Sequence, residues 1–326
     1  MSESKQSAHL PWVEKHRPKT LDEVSGQEGV VKLLKETVKN KNVPHMLLYG
    51  PPGTGKTTSI LALAKELYGK EYRNRVLEMN ASDERGIGVV RDKIRNFASG
   101  AVTTGVPFKL IILDEADSMT REAQSALRRI IEKYTNVTRF CLICNYVSKI
   151  IEPLLSRCAM FKFKPLPIES LKLRLDSICD KESIKVSQEA KDEVMRISRG
   201  DLRRCITLLQ CASQFSENEE VKPEEVIEIS GMVPKDVVEN LWKAWSSGSF
   251  DEAQREVESI IKEGHSAPML LSQLGRDLLE DSGEYTNDKK RRMFMTLADS
   301  EKALVDGADE QLQLLKVVSV FYEILS

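Results

Sequence analysis

The sequence predicts an α/β domain over roughly the first half of the chain, with a parallel sheet covered by helices on both faces, and helices alone thereafter. Three observations predict it. Up to about residue 165, short apolar runs alternate with amphipathic helical stretches, the pattern of strands joined by helical crossovers. An apolar run, His45-Met46-Leu47-Leu48-Tyr49, passes through a glycine-rich turn into a helical run with Ile60, Leu61, Leu63, Ala64 and Leu67 on one broad face. After Pro165 and Pro167 the strand-like runs stop.

The turn in the middle of the second observation is Gly50-Pro51-Pro52-Gly53-Thr54-Gly55-Lys56-Thr57. Its spacing is G-x-x-x-x-G-K-T, the phosphate-binding P-loop pattern, in the strand–loop–helix context that the pattern needs. Gly53 and Gly55 let the backbone curl so that its N–H groups converge on phosphate oxygens at a helix N-terminus. Lys56 is expected to reach the β- and γ-phosphates, and the Thr57 hydroxyl to sit on Mg²⁺.

The remaining elements follow in order. Residues 10–18 hold two prolines and Trp12, which predicts an extended, docked arm rather than a helix. Trp12 and Val13 either pack under the core or wall an adenine pocket. Residues 21–40 predict a loop entering an amphipathic helix with Val30, Leu33, Leu34 and Val38 inward, ended by Pro44. Residues 75–79 form a second strand, and Ser82 or Asp83 can cap the next helix. That helix buries Ile87, Val90, Ile94 and Phe97, while Arg91 and Arg95 share one flank. A third strand, 108–113, ends in Asp114-Glu115-Ala116-Asp117. Acids at that strand end suit a metal-and-water site, with Asp114 toward Mg²⁺ and Glu115 toward an attacking water, although two acids can also simply match a helix dipole. A helix over 120–134 and a strand over 139–143 lead to Asn145, which at a strand tip can bond a γ-phosphate or the lytic water. A last strand covers 160–163. Helices are expected over 169–181, 187–198 and 201–214, then a polar loop at 216–221 and a hinge at 231–234. The segment 237–326 reads as helical with breaks near Gly248, Gly264 and 281–287.

Composition narrows the class. The chain has 326 residues, 30% of them charged and 41% hydrophobic, with a net charge of −2. Any nucleic-acid contact must therefore use a local basic face. Cys141 and Cys144 sit inside a strand-like run without a second ligand pair, so they read as buried apolar residues rather than zinc ligands. No signal peptide or membrane-spanning run is visible, and reduced thiols are expected. No N-K-x-D guanine-reading motif is present.

Taken together, the P-loop, Asp114-Glu115, Asn145, Ser156-Arg157-Cys158 and Gly200-Asp201-Leu202-Arg203 resemble the AAA+ ATPases. The arm, the stretch 80–86 and Ser156-Arg157-Cys158 narrow this to the small subunits of replication factor C. The stretch 306–310 resembles the eukaryotic members more weakly. The resemblance implies an AAA+ P-loop parallel-sheet domain (1–165), a small helical lid domain (166–232) and an all-helical collar domain (233–326) that holds subunits together. It implies ATP and Mg²⁺ as cofactors, with Thr57 and Asp114 on the metal. The implied nucleotide contacts are Val13, Arg17, Val24, Ser25, the loop from Gly50 through Pro51, Pro52, Gly53, Thr54, Gly55, Lys56 and Thr57 to Thr58, and Asn145 and Arg203. Catalytic parts are assigned to Lys56, Asp114, Glu115, Asn145 as first sensor, Arg203 as second sensor, and Arg157 as an arginine finger acting on a neighbour's site. By its bare tripeptide, Arg157 reads equally as a surface ion pair. Arg85, Arg91 and Arg95 become candidate DNA phosphate contacts. His16 stands where the family often has tyrosine.

The implied function is loading a sliding clamp onto primer–template DNA within a hetero-pentamer of clamp-loader subunits, in the nucleus of a eukaryote or the cytoplasm of an archaeon. A homohexameric branch-migration motor and a non-catalytic ATP-binding scaffold are the competing readings.

Overall fold

In the computed structural model, the described residues are 10–40, 42–82, 87–100, 105–216, 219–246, 250–280 and 285–325, with the backbone alone over 87–91. The chain divides into two compact units, 1–210 and 211–326. The division falls inside the helix Leu202–Phe215.

The first unit is built on a five-stranded sheet: β1 (Met46–Tyr49), β2 (Val76–Asn80), β3 (Lys109–Asp114), β4 (Thr138–Cys144) and β5 (Ala159–Lys162), in the order β2-β3-β4-β1-β5. Every pairing is parallel. The strands are therefore buried on both faces and read as continuous apolar runs. Alternation still sorts their side chains. Met46 and Leu48 face one way, with Ile60, Leu63, Leu110 and Ile112. Leu47 faces the other, with Ile94, Ile111, Leu127 and Leu142. Fully burying each such leucine stabilises the fold by about 1.5–3 kcal/mol.

Register decides what meets at the upper edge. Tyr49 pairs with Cys144, and Asn80 with Asp114. The residues leaving β1, β3 and β4 there are Gly50, Glu115 and Asn145. The helices Lys56–Tyr68 and Arg121–Tyr134 start from this edge. Thr120 caps the second, accepting from the Ala123 N–H at 3.3 Å.

Several expectations are corrected. Residues Trp12–Lys15 form one helical turn, not an extended arm. Pro11 stands at the N-cap, where a missing N–H costs nothing, so proline starts this helix instead of preventing it. In the helix Glu28–Lys39, Val31 and Leu34 are buried while Leu33 is 53% exposed. Leu34 is inward as expected, and Val30 and Val38 pack against the same core; of the four expected residues only Leu33 turns outward, while Val31 joins the inward face. The helix ends at Lys39 with Asn40 as its C-cap, at the bound expected ahead of Pro44. Arg75 closes the short helix Tyr72–Arg75 rather than opening β2. The Ser82 hydroxyl donates back to Asn80 Oδ1 at 2.9 Å. Asp83, the other candidate cap, lies outside the described residues.

The helices Ile168–Glu182, Gln188–Ser198 and Leu202–Phe215 match the predicted helical segment. Pro223–Ser230 adds one more. The hinge at 231–234 is packed: Met232 and Val233 are buried, and Gln273 Nε2 donates to Val233 O at 2.8 Å. The second unit continues with helices Lys235–Ser246, Phe250–Lys262, Ala267–Glu280, Asn287–Val305 and Glu310–Leu325. The last break, at 306–309, was not among those predicted. Trp245 and Phe321 meet edge to face at 4.9 Å in its core.

His45, just before β1, yields a test of the sheet's lower edge. Its Nδ1 accepts the Phe140 N–H at 3.2 Å, and Nε2 bonds Thr135 Oγ1 at 3.2 Å. Burial, then the Arg139 charge, pushes its pKa down to about 4. The native state thus holds the ring neutral, while the unfolded chain protonates near pH 6.5. Stability from this group is present above that pH and is lost as pH falls toward about 4. Chemical denaturation from pH 7 to 4 should show this loss, and His45→Asn, which keeps an acceptor without titrating, should flatten it.

Candidate functional site

The site starts from the glycine loop. Gly50 leaves β1 at φ 146°, and a side chain there would bring its Cβ to 2.2 Å from Phe163 O. Gly53 has φ 68°, and its Cβ would lie 1.7 Å from Asp201 Oδ1. Gly55 is the N-cap of the helix Lys56–Tyr68 at φ 90°. These conformations are strained for other residues, and they turn the loop back over the helix N-terminus.

Lys56 is 7% exposed. Its Nζ donates to Gly50 O, Pro51 O and Asn145 Oδ1, each at 2.8 Å. Burial lowers its pKa; the carboxylates of Asp114 and Asp117 oppose that, and Arg203 adds to it. Beside it, Thr57 Oγ1 donates to Asp114 Oδ2 at 2.7 Å. Asp114 Oδ1 accepts the Glu115 N–H at 2.9 Å. Glu115 has a left-handed backbone, φ 54°, with its side chain exposed.

These groups open onto a cleft of about 1080 Å³, its open mouth included. Val13, Arg17, Val24 and Ser25 line one side, Pro52 to Thr58 the floor, Asp114, Glu115 and Asn145 the sheet edge, and Arg203 the helical side. Gly50 and Pro51 act through the carbonyls that hold Lys56. Most of the candidate residues of the sequence thus meet here, but the cleft is also lined by residues the sequence did not single out for it, His16, Leu166, Arg174, Leu202 and Ile206 among them.

The exceptions are informative. Arg157 is not among the cleft-lining residues. Its guanidinium is about 2.7 Å from Glu132 Oε1 and donates to Pro153 O at 2.7 Å. Arg95 is exposed on the helix Ile87–Ser99. Arg85 lies outside the described residues, and so does the side chain of Arg91.

Other residues escaped the sequence reading. Gln27, 5% exposed, donates from Nε2 to Lys164 O at 2.7 Å and clips β5's exit to the loop before the helix Glu28–Lys39. A buried glutamine leaves no periodic signal. Arg174 lines the cleft and donates to His16 O, and Glu182 accepts from Lys15 and bonds His16. With Trp12 N–H donating to Gln210 Oε1 at 3.0 Å, these bonds fasten the arm to helices far along the chain. Asp201 was legible as a cap: its Oδ1 accepts the Arg204 N–H at 3.1 Å.

The donor set fits a nucleoside triphosphate with Mg²⁺. A hydroxyl and one carboxylate supply hard oxygen ligands, and no cluster of three or more metal-ligating side chains occurs among the described residues. Mg²⁺ binds in this way when phosphates and waters complete its shell. Gly53 gives a direct test. Gly53→Ala adds about 1–2 kcal/mol of backbone strain and drives a Cβ into Asp201. It should lower nucleotide affinity at least about tenfold and lower the melting temperature by a few degrees, read by titration and by thermal unfolding.

The comparisons agree with this geometry. Residues 46–166 match the ATPase family associated with various cellular activities, and residues 233–320 match the replication factor C C-terminal domain. The chain is 48% identical to Replication factor C subunit 4 of Homo sapiens, over 99% of this chain and 91% of that protein. It is 46% identical to Replication factor C subunit 2 of Saccharomyces cerevisiae, over 95% and 92%, and 44% identical to the Replication factor C small subunit of Archaeoglobus fulgidus, over 93% and 94%. Among solved structures, the Thermotoga maritima RuvB Holliday junction branch migration motor superimposes with a TM-score of 0.54 at 20% identity, over 79% of this chain and 91% of that one, a likeness of fold alone. By sequence along nearly its whole length, the chain belongs to the replication factor C family, the AAA-type clamp loaders of DNA replication.

Proposed function

We propose that this chain is an ATP-hydrolysing subunit that helps open a ring-shaped sliding clamp and close it on primer–template DNA. The observation that carries the reading is one cleft in which Lys56, the Thr57–Asp114 pair, Glu115, Asn145 and Arg203 converge, while Arg157 stands apart from it.

ATP would lie with its phosphates over the loop 50–57 and its base against Val13, Arg17, Val24 and Ser25. Bound Mg²⁺, held through Thr57 and Asp114, would supply charge neutralisation to the phosphates. Lys56 would exchange its carbonyl partners for phosphate oxygens, and Asn145, already bonded to its Nζ, would be placed beside the γ-phosphate. Glu115 orients and deprotonates the attacking water. Arg203 brings positive charge from the helical segment, so that nucleotide binding draws the lid toward the loop.

In this reading, Arg157 completes the neighbour's site. A cation supplied in trans places charge where the transition state becomes more negative, and makes hydrolysis depend on assembly. Its Glu132 and Pro153 contacts leave the side chain 37% exposed. Three domains (1–165, 166–232 and 233–326) in a hetero-pentamer would divide the work between catalysis, lid and collar. Arg85, Arg91 and Arg95 would follow DNA phosphates without reading sequence. The work would take place in the nucleus of a eukaryote or the cytoplasm of an archaeon. Complete ATPase residues argue against a scaffold that only binds ATP, and sequence relatives at 44–48% identity argue against a branch-migration motor.

Two outcomes test this. Lys56→Ala in the assembled complex should abolish most clamp loading onto primed DNA, measured by retention of labelled clamp; intact loading would refute the reading. Arg157→Ala should reduce the ATPase rate of the assembly by at least about tenfold while leaving this chain's own nucleotide affinity within about twofold.

A further inference from the structure

We infer that Asp117 is a positioning residue that sets the place of Asn145 and ties it to the conformation of Glu115. The inference rests on the reading of Asn145 as the group beside the γ-phosphate.

Asp117 is half-buried and is not among the residues lining the cleft. Its Oδ2 accepts two backbone N–H groups, from Asn145 at 3.2 Å and from Tyr146 at 3.1 Å. These are the first two residues beyond β4, where the sheet ladder has ended and the backbone needs other partners. An ionised carboxylate there makes charge-assisted bonds, stronger than neutral ones. The bond fixes the peptide from which the Asn145 side chain reaches Lys56 Nζ at 2.8 Å.

The other end of the link is the turn that carries Asp117. Glu115 sits at φ 54°, and its carbonyl accepts both the N–H of Ser118 at 2.9 Å and its hydroxyl at 2.7 Å. Ala116, 1% exposed, plugs this turn into the core beneath β3 and β4. The left-handed residue and the buried alanine thus swing Asp117 away from the cleft and onto the end of β4. One three-residue turn therefore holds both the base for water and the support of the sensor. A left-handed non-glycine residue is strained and persists where surrounding contacts fix it; here those contacts include the Asp117 bonds.

The test is a double-mutant cycle in the assembled complex, with kcat, KM and the Kd of a fluorescent ATP analogue measured for each form. Asp117→Ala should lower kcat about ten- to hundredfold, because a displaced sensor no longer meets the transition state, while Kd changes by less than about threefold. Asp117→Asn, whose Oδ1 can still accept both N–H groups, should recover most of that loss. In an Asn145→Ala background, Asp117→Ala should cost less than about twofold more. Hydrogen exchange of the peptide containing residues 145 and 146 should quicken in Asp117→Ser, and this arm holds even where the alanine variant fails to fold.

An unchanged kcat in Asp117→Ala, or a full additional loss in the Asn145→Ala background, overturns the inference alone. Wild-type turnover in Asn145→Ala overturns the reading of Asn145 and the inference with it. Unchanged exchange at 145–146 overturns the bond itself.

Discussion

The site depends on one arrangement: the ammonium of Lys56, almost wholly buried, resting on two carbonyls of its own loop and on one side-chain oxygen of a different strand. A buried cation needs such partners, since burial alone disfavours its charge. Gly50 and Pro51 can offer their carbonyls inward only because the loop bends through left-handed glycines. Asn145 can offer its oxygen only because β4 lies directly beside β1 in parallel register. Loop, sheet order and register thus serve the same nitrogen atom.

The parallel sheet supplies the rest of the geometry. With every strand pointing the same way, the ends of β1, β3 and β4 open onto one edge, where α/β proteins gather their ligands. The Thr57–Asp114 bond spans from the P-loop helix to β3 across that edge. The helical side is brought in by the close approach of Asp201 to Gly53, with the Leu202 N–H donating to Gly53 O at 3.3 Å. The absence of a side chain at Gly53 therefore shapes the loop and seats the helix carrying Arg203.

Much of this was legible because its signals are local. G-x-x-x-x-G-K-T between an apolar run and a helix fixes phosphate chemistry by spacing, and Asp114-Glu115 and Asn145 stand at strand ends that apolar runs reveal. What was not legible depends on partners distant in sequence. The turn at Trp12–Lys15 looked extended because its prolines were weighed as helix breakers, whereas one of them stands at the cap. Leu33 fits a helical period as well as Val31 does, and only the docked neighbours decide which turns inward. Gln27, Arg174 and Glu182 carry no motif, since their roles come from carbonyls and side chains brought near by folding. Asp117 was read as one letter of an acidic run, and its contact with β4 becomes visible only with the turn at Glu115 in place.

The central claim is that the Lys56 cluster is a nucleotide site with its metal held through Thr57 and Asp114. The most direct measurement is a titration of the purified chain with a fluorescent ATP analogue, with Mg²⁺ and with chelator, for the natural chain and for Thr57→Ala. The account predicts saturable single-site binding that Mg²⁺ tightens in the natural chain and tightens much less in Thr57→Ala. Binding that ignores Mg²⁺, or that Thr57→Ala leaves equally sensitive to it, would contradict the account.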